Sequence, residues 1–153
     1  MSSEISLCHF AITERMFYNI VKFQLIFLQK GYIAMINLNS IMLGTKQPQV
    51  LATFYEKIIG KPADMVEEGW SGWQVGSAFF SVGEHSEMQG AAKDPGRVMI
   101  NFETKQVKEE FERMKAAGAK VIKEPYDMGG GWIATLADPD GNYFQLMTPW
   151  EGN

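Results

Sequence analysis

The tripeptide Thr-Lys-Gln occurs twice, as Thr45-Lys46-Gln47 and as Thr104-Lys105-Gln106, each time after a strand-like run and before a helical stripe. This duplication constrains the fold more than any other feature, because it asks for one supersecondary plan laid down twice. In the first copy residues 38–45 form a strand, Pro48 sits where a helix starts without needing its N–H, and Leu51, Phe54, Tyr55 and Ile58 make a stripe that Gly60 ends. In the second copy residues 97–103 alternate, with Val98, Ile100 and Phe102 on one face. Val107, Phe111 and Met114 then recur at helical spacing, and Gly118 supplies the stop.

Short strands follow each helix: residues 73–75 and 78–82 across Gly76-Ser77, then residues 132–137 and 143–148 across Asp138-Pro139-Asp140-Gly141-Asn142. With a further strand directly after each helix, each copy becomes β-α-β-β-β. One such module cannot cover its own apolar face, so the two copies, 35 to about 90 and about 96 to 153, pack together as one α+β domain. A chain of 153 residues, 46% of them hydrophobic, suits one core of that size.

Charge and cysteine usage narrow the partners. Lys and Arg number 14 against 18 Asp and Glu, with no basic block, which excludes a nucleic-acid footprint. The single cysteine, Cys8, can make neither an internal disulfide nor a thiolate cage, so a reducing cytoplasm is expected. The apolar run 16–28 is interrupted by Asn19, Lys22 and Gln24, falls short of a membrane span, and follows Glu4 and Glu14 where a signal peptide carries positive charge. No membrane partner is expected. Two readings of residues 1–34 stand open: an amphipathic helix with Phe17, Ile20, Val21, Gln24 and Leu28 near one face, or sequence upstream of a natural start at Met35. The second rests on Gln29-Lys30-Gly31, which can be encoded by a purine-rich ribosome-binding stretch.

Three segments carry a family resemblance: Phe54-Tyr55-Glu56-Lys57-Ile58-Ile59-Gly60, Lys115-Ala116-Ala117-Gly118-Ala119-Lys120-Val121, and Asp138-Pro139-Asp140-Gly141-Asn142-Tyr143-Phe144-Gln145-Leu146. In that order and spacing the chain resembles the vicinal oxygen chelate superfamily, which includes glyoxalase I, extradiol dioxygenases, fosfomycin-modifying enzymes and bleomycin-sequestering proteins. The resemblance implies two βαβββ modules paired into a curved eight-stranded sheet around an open cup, and a homodimer. It also implies a divalent ion held in the cup by His and Glu side chains, acting as a Lewis acid on two substrate oxygens.

The positions that resemblance assigns to the metal do not carry those residues. They hold Ser40, Arg97 (Val98 with a one-residue slip) and Gln145, and the strand near Phe79 and Phe80 offers no carboxylate. Residues 35–153 contain one histidine, His85, and no cysteine, and an arginine in a ligand place repels a cation. No metal or other cofactor is therefore expected, and no catalytic residue is assigned. Glu84, His85 and Glu87 are read as a polar surface connection after a strand. Gly129-Gly130-Gly131 leads into a strand, so it lacks a helix N-terminus to grip phosphate and is read as a lip or bulge beside the cup.

Strand alternation from those positions turns Ser40, Met42, Arg97, Met99, Asn101, Tyr143, Gln145 and Met147 into the cup, with Leu38 beside them. Ile41, Leu43, Val98, Ile100, Phe102, Phe144 and Leu146 turn toward the helices, and Trp70, Trp73, Trp132 and Trp150 flank the strands as walls. Such a lining suits a small, largely apolar or aromatic organic ligand with an acceptor or negative group, Arg97 and the amides fixing its orientation. The alternative is a lyase or isomerase of the glyoxalase kind on a small oxygenated substrate, or one using Arg97 and Tyr143 without metal.

Overall fold

The structure is a computed structural model that describes residues 38–149. The described residues from Asn39 onward form one compact unit. Both readings of residues 1–34, and the place of Trp150, lie outside the described residues.

The plan runs twice. The first module is β1 (Ser40–Thr45), α1 (Pro48–Ile59), β2 (Met65–Glu67), β3 (Trp70–Val75) and β4 (Ala78–Glu84). The second is β5 (Ile100–Glu103), α2 (Val107–Ala116), β6 (Lys120–Asp127), β7 (Trp132–Ala137) and β8 (Tyr143–Met147). The strands form two four-stranded sheets of matching order, β1-β4-β3-β2 and β5-β8-β7-β6, with the first strand of each parallel to its last. The single eight-stranded sheet expected is thus two ladders that share no strand pairing among the described residues.

The repeated tripeptide has a physical task. The Gln47 N–H donates to Thr45 Oγ1 at 3.0 Å, and the Gln106 N–H donates to Thr104 Oγ1 at 3.1 Å. In both copies a threonine hydroxyl turns the chain from strand into helix. Pro48 opens α1, and Gly60, at φ +83°, ends it in the left-handed conformation that side-chain-bearing residues avoid. In α2 Glu109 and Glu110 occupy the first turn, with Arg113 and Lys115 in the last, which suits the helix dipole.

Both helices feed one core, built from Leu51, Phe54, Tyr55 and Ile58 of α1, Val107, Phe111 and Met114 of α2, and one face of each sheet. The modules pair within the chain: the Phe54 and Phe144 rings meet edge-on at 6.2 Å between centroids, and Phe80 meets Phe102 at 6.3 Å. Arg113 of α2 donates to the carbonyls of Lys57 and Ile58 at 2.5 and 2.6 Å, capping α1 from the other module.

Two expected boundaries move. Strand β1 starts at Ser40, leaving Leu38 exposed, and β5 starts at Ile100, not at residue 97. The Arg97 N–H bonds back to the Asp94 carbonyl at 3.1 Å, folding the chain into a turn, so Arg97, Val98 and Met99 precede the strand. Val98, expected against the helices, is consequently 68% exposed. Among the described residues no helix is long and apolar enough to cross a membrane.

Candidate functional site

The helices cover one face of each sheet, and the other faces carry the candidate site. Strand register assigns the residues. In the first sheet Met42 pairs with Ser81 and Ser81 with Gly72, while Gly83 pairs with Trp70 and Trp70 with Glu67. Ser40 pairs with Phe79, and Phe79 with Gln74. These side chains share the helix-free face, opposite the buried Trp73, Phe80 and Val82.

On that face the Trp70 and Phe79 rings lie nearly parallel, 17° apart with centroids 5.9 Å from each other. Two glycines make room for them. A Cβ on Gly72 would come within 2.5 Å of Phe79 Cζ and 2.6 Å of Trp70 Cη2, and one on Gly83 within 2.9 Å of Trp70 Cδ1. The absence of side chains at both positions lets the rings lie down on the sheet as an aromatic floor. The Met42 sulfur borders it, 3.5 Å from the same point on Gly83.

The second sheet carries a polar row. Asn101 pairs with Gln145, Gln145 with Thr135, and Thr135 with Lys123, so the four line up across β5, β8, β7 and β6. Gln145 Nε2 donates to Thr135 Oγ1 at 3.0 Å, and Thr135 is buried. Beside this row run Glu103, Met147, Ile133 and Tyr126, and on its other flank Tyr143, Ala137 and Lys120.

Of the residues assigned to the cup from sequence, Ser40, Met42, Asn101, Tyr143, Gln145 and Met147 sit on the helix-free faces, and Phe144 and Leu146 are buried against the helices as expected. Arg97 and Met99 lie ahead of β5. The Arg97 guanidinium bonds Asp94 through Nε at 3.0 Å and Nη2 at 2.8 Å, so its own loop holds it in an exposed position. Of the tryptophans, Trp70 faces the site. Trp73 is fully buried on the helix side against Phe80, its Nε1 without a hydrogen-bond partner among the described residues. Trp132 shares the helix side with Ala134 and Leu136, and Lys108 Nζ of α2 stands 3.4 Å from its ring centre. Trp73 therefore does not wall the cup, while Trp132 borders a hollow that it shares with Ile133 and Met147.

Thr135, Lys120, Lys123 and Tyr126 were missed. Thr135 sits in an apolar run with no sign of its partner Gln145, and the β6 residues are re-aimed by bulges that a two-residue period does not anticipate. Gly129 and Gly130, at φ +85° and +156°, turn the β6–β7 hairpin, their N–H groups donating to Asp127 Oδ1 at 2.7 and 3.4 Å. His85 Nδ1 accepts from the Glu87 N–H at 3.3 Å, a local turn contact at the surface.

The donor set does not fit the family's ion. Ser40 and Gln145 bring a hydroxyl and an amide, Phe79 brings a ring, and Arg97 is a cation outside the strand. Among the described residues no three His, Cys, Asp or Glu side chains converge.

The acidic turn between β7 and β8 works elsewhere. Asp138 is buried; its Oδ2 accepts from the Tyr55 hydroxyl at 3.0 Å and from Asn142 Nδ2 at 2.9 Å, and its Oδ1 from the Asp140 and Asn142 N–H groups at 2.9 Å each. Burial raises the Asp138 carboxyl above its ordinary range, against the lowering effect of those donors, and burial followed by the Asp138 charge raises the Tyr55 hydroxyl well above its usual value. Asp140 accepts from Thr45 Oγ1 at 2.6 Å and from Gln47 Nε2. The turn clamps the second module onto α1 of the first.

The family described as "Glyoxalase-like domain" matches residues 40–147. A glyoxalase-related enzyme from Fulvimarina pelagi is 18% identical, with 75% of this chain and 89% of that one covered at a TM-score of 0.64. A glyoxalase/bleomycin resistance protein/dioxygenase family enzyme from Burkholderia phytofirmans PsJN is 22% identical, covering 74% and 98% at 0.62. A glyoxalase/bleomycin resistance protein from Albidiferax ferrireducens T118 is 18% identical, covering 72% and 98% at 0.60. At such identities these likenesses establish the fold and no activity. Among curated proteins none matches the chain. With two βαβββ modules and a family match running from β1 to β8, this chain belongs to the glyoxalase-like domain family of the vicinal oxygen chelate superfamily.

Proposed function

We propose that this protein binds a small, largely apolar or aromatic organic molecule in its cup without a metal ion. One observation carries the reading: the Trp70–Phe79 floor, made possible by Gly72 and Gly83 and bordered by Met42. Flat rings and a thioether give a planar ligand contact area at little cost in side-chain entropy. Ser40 and Gln145, standing where the family places metal ligands, and Asn101, paired with Gln145, orient its polar atoms by hydrogen bonding. Arg97, paired with Asp94 in an exposed loop ahead of β5, is not given that role in this reading.

We also assign the chain to a reducing cytoplasm, on its single cysteine, and to a homodimer, as pairs of chains associate in this superfamily. The exposed Met65 and Val66 of edge strand β2 support a second copy there.

Titration of the untagged chain with planar aromatic compounds, followed by tryptophan fluorescence, tests the binding reading. Saturable quenching that Trp70→Ala abolishes is the expected result. No saturable change across a broad panel contradicts it, as does chelator-sensitive turnover of a dicarbonyl thiol adduct, which would install the lyase alternative.

A further inference from the structure

Strand β6 departs from regular pairing twice, and both departures act on the same face. Against β7, Lys120 pairs with Ala137, Lys123 with Thr135 and Tyr126 with Ile133. The partners step by two while the β6 residues step by three, so one extra residue is inserted in each interval. In a regular strand Lys120 and Lys123 would point to opposite faces. The two bulges instead bring Lys120, Lys123 and Tyr126 to the helix-free face, beside Thr135 and Gln145. Bulges of this kind re-aim side chains next to functional sites.

The charges delivered there are not consumed locally. Among the described residues Lys120 and Lys123 form no ion pair, and Lys123 Nζ stands 3.8 Å from the centre of the Tyr126 ring, which holds the ammonium without neutralising it. Glu103, a carboxylate on this face of the same sheet, lies on the opposite edge strand, three strand spacings or about 14 Å away, and Glu124, without a ladder partner in the second bulge, forms no ion pair with either lysine among the described residues. Beside the ammonium groups, Gln145 and Thr135 add fixed polar atoms in one hydrogen-bonded pair.

We infer that the twice-bulged β6 forms an oxyanion-reading wall, and that the aromatic ligand of the cup carries a carboxylate recognised by Lys120 and Lys123 together with the Gln145–Thr135 pair. This rests on the binding reading above and narrows it to a substrate class: planar aromatic carboxylates over their uncharged or cationic counterparts. The anion-binding role passes from Arg97, which sequence spacing favours, to lysines that regular strand spacing hides.

The test compares 2-naphthoate with 2-naphthamide, equal in shape and differing in charge, by calorimetric titration at low and moderate salt. The carboxylate binds about five- to tenfold more tightly at low salt, as two exposed ion pairs allow, and the advantage shrinks as salt rises. The double variant Lys120→Met, Lys123→Met, its folding checked by thermal melting, removes the carboxylate's advantage over the amide. Equal affinities for the two compounds, or a preference that survives the double variant, overturn the oxyanion wall and leave aromatic binding standing. Failure of both compounds and of the wider aromatic panel to bind removes the binding reading and the wall with it.

Discussion

The Tyr55 hydroxyl donates to Asp138 Oδ2 at 3.0 Å, joining α1 of the first module to the acidic turn of the second across 83 residues of sequence. Both groups are buried, so losing either partner leaves a polar atom stranded. Tyr55→Phe is expected to cost about 1–3 kcal/mol in denaturant unfolding, and Asp138→Ala more, because four donors lose their acceptor.

The same pair sets a pH dependence. Folding raises the pKa of both groups, so the native state holds these protons more tightly than the unfolded chain does. For Tyr55 the favourable contribution is complete below the ordinary phenol value of 10.0 and is lost as pH rises above it toward the folded value. For Asp138 it is complete below the ordinary carboxyl value of 3.8 and is lost as pH climbs through the folded value. Denaturation curves between neutral and alkaline pH show stability falling in the wild type and a flatter alkaline limb in Tyr55→Phe. An equally steep limb in the variant would show that another group governs it.

Gly72→Ala tests the aromatic floor through packing. The new methyl must displace the Trp70 or Phe79 ring, at an expected cost of about 1–3 kcal/mol, and ligand affinity falls with it. Gly96→Ala is the control. Among the described residues, its chain neighbours aside, no atom lies within 4 Å of the added methyl, and melting and binding should both stay near wild type.

Arg97→Ala separates the two candidate cations. The guanidinium is engaged with Asp94 in an exposed loop, so the variant keeps its ligand affinity and loses under about 1 kcal/mol of stability. A large affinity loss would return Arg97 to the cup.

What the sequence discloses depends on whether a regular period governs the residue. The helical stripe of Leu51, Phe54, Tyr55 and Ile58 and the alternation of Tyr143, Gln145 and Met147 against Phe144 and Leu146 obey simple periods, and the structure places them accordingly. Arg97 does not, because the Asp94 turn delays β5 until Ile100, a tertiary choice that alternation cannot foresee. Trp73 and Trp70 differ by three residues and so face opposite ways once β3 is seen to begin at Trp70 instead of Trp73. The lysines of β6 escape notice because two bulges replace the two-residue period with three. The Thr-Lys-Gln repeat was visible as a pattern, whereas its coupling of Thr45 and Gln47 to Asp140 appears only when the modules meet.

Elemental analysis of the untagged chain, purified without chelator and assayed for zinc, nickel, manganese and iron, bears most directly on a cup whose metal positions, by the family resemblance, fall on Ser40, Arg97 and Gln145. The expected outcome is no stoichiometric metal, with aromatic binding unchanged by added divalent ions. One tightly held equivalent per chain, lost together with binding on chelation, would contradict a metal-free binder and put a metal-dependent enzyme in its place.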